Sequence, residues 1–100
     1  MKETLFIQVR YLVKPGLRDA FAAALARIRM AELSREEPGC LGYEYLLPMD
    51  APDQVVLLEQ WENEAAQQEH ARSAHFAKLM AAKDEYLIGT QVRRRLVREV

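Results

Sequence analysis

His70 and His75 are the two histidines of the sequence, and imidazole is the side chain whose ordinary pKa suits proton transfer near neutrality. They stand five residues apart with Ser73 between them. A helix broken at Ser73 can turn both rings toward one cavity, where either can act as a general base. The alternative is structural: His75 packs a helix junction and His70 is a solvated helix residue. Upstream, Glu59 and Trp61 alternate along an extended run and share one face of it. Trp61 can wall a flat ligand and donate its N–H to an anion, or it can close the end of a sheet as a core residue. Glu59 lies among apolar neighbours and needs a partner if buried, a role open to Arg10 or Arg94. Tyr43 and Tyr45 share a face of another extended run, from which either hydroxyl can reach a pocket. Phe76, Leu79 and Met80 form a helical stripe that reads as core or as pocket wall.

Turn signals divide the chain into the elements that must position these groups. Leu5 to Val13 is rich in β-branched and aromatic residues and predicts a strand, stopped by Lys14-Pro15-Gly16. Leu17, Phe21, Ala24, Leu25, Ile28 and Ala31 recur three and four apart, which predicts one helix from Leu17 to about Leu33. Pro38-Gly39 closes the next loop. Cys40 to Leu47 and Gln54 to Glu62 predict two strands, joined as an antiparallel hairpin by a turn from Pro48 to Asp53. Asn63 stands at a cap position before a short helix, Glu64 to Arg72. Ser73 breaks that helix and caps another, from His75 to about Lys83. Gln91 to Val100 predicts the last strand.

The order β-α-β-β-α-β, with its second helix broken, predicts an α+β ferredoxin-like domain over residues 1–100, four antiparallel strands with helices on one face. The strand from Gln54 to Glu62 carries Val55 and Leu57 on one side and Val56 and Leu58 on the other. A sheet with one wet face should alternate. The second apolar face therefore calls for a cover, and a second copy of the chain is the simplest one: a sheet-to-sheet homodimer.

Composition narrows the function classes. One hundred residues make one domain, and 50% hydrophobic with 29% charged residues excludes disorder. A net charge of −1 argues against binding nucleic acid or an anionic membrane. Arg93, Arg94, Arg95 and Arg98 cluster near the end, yet on a strand Arg94 points away from Arg93 and Arg95, as edge charges that deter aggregation do. The longest apolar run, Ala20 to Ala26, is far short of the roughly 20 residues of a membrane span. Gln8 and Arg10 interrupt the apolar stretch after Lys2, so no signal peptide is expected. Cys40 is the single cysteine and cannot form an internal disulfide, which points to a reducing compartment, the cytoplasm. Cys40 is expected to be a small buried hydrophobe. With the two histidines it makes too sparse a set for a structural zinc site, so no metal is expected.

The stretch from Glu37 to Phe76 resembles the antibiotic biosynthesis monooxygenase family. Pro38-Gly39-Cys40 with Tyr43, then Glu59-Gln60-Trp61-Glu62, then His70 and His75-Phe76 carry the resemblance, and Val13 to Gly16 ahead of the first helix adds to it. It implies a dimeric ferredoxin-like α/β barrel. Within the family the small quinol monooxygenase branch is the most similar. The heme-degrading branch is not, because Val9, His70 and Met80 stand where its Asn, Trp and iron-ligating His would be. The resemblance implies a cofactor-independent monooxygenase that oxidises a small aromatic quinol or polyketide-type substrate with O2. An electron-rich aromatic anion reduces O2 by itself, so the protein must supply an apolar pocket, a base and anion donors. His70 or His75 would be the base, Trp61, Tyr43, Tyr45 and Glu59 positioning groups, and Phe76 and Met80 walls. Two other readings stand beside it: an isomerase of a small phosphorylated carbonyl compound, which needs a basic pocket rim, and a non-catalytic ligand-binding or stress dimer.

Overall fold

The computed structural model describes residues 2–98. Eight elements follow in the order β1 (Glu3–Val13), α1 (Arg18–Ile28), α2 (Met30–Arg35), β2 (Cys40–Leu46), β3 (Gln54–Trp61), α3 (Glu64–Ala71), α4 (Ala74–Tyr86) and β4 (Leu87–Arg98). The strands form one antiparallel sheet in the order β2-β3-β1-β4. This is the expected ferredoxin-like topology, and the sheet is open rather than closed on itself. Among the described residues no helix is long and apolar enough to cross a membrane.

Alternation in β1 explains the layering. Leu5, Ile7, Val9, Tyr11 and Val13 are buried against the helices with Val55, Leu57 and Trp61 of β3. Phe21 of α1 wedges between Tyr11 and Tyr86, with ring centroids 5.3 and 5.8 Å away. The opposite sheet face is mixed. Arg10 there donates to Gln54 Oε1 at 2.6 Å, which removes it as a partner for Glu59.

Two boundaries differ from the sequence reading. The single helix from Leu17 to Leu33 is two helices, broken at Arg29, whose φ of 61° is left-handed. The Arg29 N–H closes α1 on the carbonyls of Ala26 and Leu25. The changed direction then brings Met30 fully into the core, a gain large enough to offset the roughly 1–2 kcal/mol of a left-handed residue. β4 starts at Leu87, directly after α4, rather than at Gln91. Gly89 lies beside a register shift between Leu12 and Val13, so a glycine that reads as a loop sits at a sheet irregularity. The final two residues of the predicted last strand, Glu99 and Val100, lie outside the described residues.

Candidate active site

Cross-strand register builds the floor of the site. Tyr43 pairs with Glu59, Glu59 with Ile7, and Ile7 with Arg94, so all four stand in one row on the helix-facing side of the sheet. The next row adds Val9 and Val92, and the one after it Tyr11 and Thr90. Gln67 from α3 and Phe76, Met80 and Lys83 from α4 complete a cavity of about 370 Å³. That volume lies within the range of small-molecule sites.

Glu59 is the carboxyl group of this lining. It is 6% exposed, and its described hydrogen bond is from the Trp61 indole N–H, at 3.0 Å to Oε1. Burial pushes its pKa above the ordinary value; the Trp61 N–H and the charges of His70 and Arg94 pull it back only in part. Arg94 itself lines the cavity while its guanidinium pairs with Glu64. Burial likewise holds the phenols of Tyr43, Tyr45 and Tyr11 well above the usual tyrosine range, with the Glu59 charge adding to each. They are protonated donors at any working pH, and Tyr43 and Tyr45 share a contact of 3.5 Å between hydroxyls.

The histidines are placed by the Ser73 elbow. Asn63 caps α3 by accepting from the Ala66 N–H at 2.9 Å. Ser73 donates to the His70 carbonyl at 2.7 Å and accepts from the Phe76 N–H at 3.2 Å, tying the end of α3 to the start of α4. His70, 1% exposed, lies beneath the cavity wall, its ring centroid 4.9 Å from Trp61, 5.3 Å from Tyr43 and 5.4 Å from Phe76. Both histidines meet Glu37, which precedes β2: Glu37 Oε2 is 2.6 Å from His70 Nδ1 and 3.0 Å from His75 Nε2. Gly39 lets the Glu37 loop pass this close to α3. Its φ is +82°, and a Cβ there would sit 2.6 Å from the Ala66 Cβ.

The comparisons with known proteins agree with one another. The family model described as "Antibiotic biosynthesis monooxygenase" matches residues 4–82. This chain belongs to that family. The Bacillus subtilis (strain 168) protein "Putative monooxygenase YcnE" is 30% identical over 83 residues, which is 83% of this chain and 85% of that one. Among solved structures, PA3566 from Pseudomonas aeruginosa superposes with a TM-score of 0.89 at 22% identity, covering 99% of this chain and 98% of its own. SO0527 from Shewanella oneidensis gives 0.88 at 24% identity over 97% and 93%. These structures share the fold, and the family and its relative support a monooxygenase-type function.

In this family member the residues singled out by sequence divide into two groups. Tyr43, Glu59, Phe76 and Met80 line the cavity. His70, His75 and Trp61 stand behind it, and Tyr45 lines a separate apolar groove with Leu25, Ala31 and Leu47. The Trp61 N–H is directed at Glu59 rather than at open space. Cys40 is half-buried rather than buried, and burial raises its thiol pKa, which suits no nucleophile. Sequence alone does not mark Glu37, Gln67, Lys83 or Tyr11 as site residues. Glu37 lies 33 and 38 residues from the histidines it meets, and no local pattern marks such a contact.

Proposed function

We propose that the chain is a cofactor-independent monooxygenase that oxidises a small electron-rich aromatic, a quinol or polyketide-type phenol, with O2 in the cavity beneath α4. The observation that carries this reading is Glu59, a buried carboxyl of raised pKa in a largely apolar lining. A base is most effective with its pKa near the working pH, and Glu59 rather than either histidine is in reach of a bound ring. Glu59 takes the phenolic proton. The aromatic anion gives one electron to O2, and the radical and superoxide recombine with formation of a C–O bond. Glu59 returns the proton to the peroxide. Loss of the neighbouring C–H proton then expels hydroxide, the O–O bond breaks, and a carbonyl and water result. Arg94 and Lys83 favour the anionic species, and the Tyr43 and Tyr11 hydroxyls donate to its oxygen. His70, from behind Trp61, tempers the Glu59 carboxyl through its charge.

The same reading includes a cytoplasmic homodimer. Phe6, Leu12, Val56 and Leu58 lie on the sheet face away from the helices, and Ile88, Val92 and Leu96 are exposed along the β4 edge. One observation favours a second reading, the isomerase of a phosphorylated carbonyl compound: Lys83 and Arg94 both line the cavity and supply a basic rim.

Oxygen uptake with a panel of benzoquinols, naphthoquinols and anthrones, corrected for autoxidation, decides between them. Uptake above background that falls in Glu59→Gln supports the monooxygenase. Conversion of a phosphorylated ketose at equal rates with and without oxygen, and no uptake over the panel, would replace it with the isomerase.

A further inference from the structure

We propose that Glu37, His70 and His75 form a binding site for a divalent transition-metal ion, with Zn2+ as its best-fitting occupant. The ligand atoms, Glu37 Oε2, His70 Nδ1 and His75 Nε2, all lie within 4.8 Å of one another. Two imidazoles and a carboxylate suit Zn2+ and its borderline neighbours, not Mg2+ or Ca2+. A tetrahedral ion with ligands at about 2.0–2.1 Å holds them about 3.3 Å apart. The Oε2 atom is now 2.6 and 3.0 Å from the two nitrogens, so that pair of contacts opens by less than about 1 Å to admit the ion, and the two nitrogens, within 4.8 Å of each other, close by at most about 1.5 Å.

The rings are already ordered for it. The Ser73 elbow fixes His70 and His75 to adjoining helix ends, and both side chains are buried. Gly39 presses the Glu37 loop against α3. In the present arrangement each ring faces the carboxylate with the nitrogen that would bind the ion. A ring nitrogen that binds the ion carries no proton, so binding strengthens as pH rises. Three protein ligands leave a fourth position for water.

None of the three ligand residues lines the cavity, so the ion stands apart from the chemistry proposed there and acts on the fold. It clips the loop before β2 to α3 and α4 across 33 and 38 residues of chain, and closing so long a loop restricts the unfolded chain. This goes beyond the oxygenase reading and does not depend on it.

The test is a Zn2+ titration of chelator-stripped protein by calorimetry, with Co2+ visible absorption as a second probe of geometry. The expected result is one ion per chain, intense Co2+ bands of tetrahedral type, and a Tm rise of about 10 °C when free Zn2+ exceeds Kd a hundredfold. Glu37→Gln and His75→Gln, each confirmed as folded by circular dichroism in chelator, should weaken binding at least tenfold. Absence of saturable Zn2+ binding to the parent, or binding of equal strength in both variants, would overturn the assignment. Because the readout is binding and not turnover, its failure leaves the oxygenase reading intact.

Discussion

Two carboxylates stand near His70, Glu37 half-buried and Glu59 buried, and they are partnered in opposite ways. Glu37 has two imidazole partners and no place in the cavity lining. Among the described residues Glu59 has one indole donor, and it faces the cavity. A carboxylate with one oxygen shared between two ring partners is held in place, and it orders the groups around it. A carboxylate that is desolvated and under-supplied with donors keeps a raised pKa and an appetite for a proton. Proximity to a histidine therefore does not by itself mark the reactive group; the unmet hydrogen-bonding capacity does.

Removing the charge of Glu59 should have the largest effect. Glu59→Gln keeps the shape and the Trp61 contact, and oxygen uptake on a quinol substrate should fall by about 10²- to 10⁴-fold. The corresponding attack on the other region is Gly39→Ala. A left-handed backbone and the overlap with Ala66 should together cost about 3 kcal/mol, read as a lower denaturation midpoint, and the variant should lose order at Glu37 first.

Trp61→Phe keeps a ring in the core and removes the described donor to Glu59. Without that N–H the carboxyl pKa rises further, so the acid limb of the pH–rate profile should move up by about one pH unit, with the loss of rate confined to the acid side of the profile. The smallest effect is on stability. Since the folded state holds the Glu59 proton to higher pH than the unfolded chain does, stability is greatest below the ordinary value of 4.5 and falls as pH rises through the raised one. Urea unfolding across pH 4–8 should show this decline in the parent, and Glu59→Gln should flatten it.

Much of the fold was legible because its signals are local. β1 alternates, Pro-Gly pairs punctuate the loops, and Asn63 and Ser73 cap the helices where their side chains suggest. The break at Arg29 was not legible, since an arginine carries no mark of a left-handed backbone and the apolar spacing runs straight through it. The site was legible in part for the same reason. Alternation placed Glu59 with Trp61, and Tyr43 with Tyr45, on common faces. What alternation cannot give is the order of strands and the depth of a side chain. The row Tyr43–Glu59–Ile7–Arg94 exists only once β2, β3, β1 and β4 are paired, and Glu37 joins the histidines only through the packing of Gly39 on Ala66.

The central claim is the division of labour between the two carboxylate centres, and one assay tests it most directly: oxygen uptake on the same quinol by the parent, Glu59→Gln and His75→Gln, each shown to be folded. The account predicts that Glu59→Gln loses at least about a hundredfold while His75→Gln stays within about tenfold of the parent. A fall in His75→Gln as deep as that in Glu59→Gln, or a Glu59→Gln variant that keeps the parent rate, would contradict it.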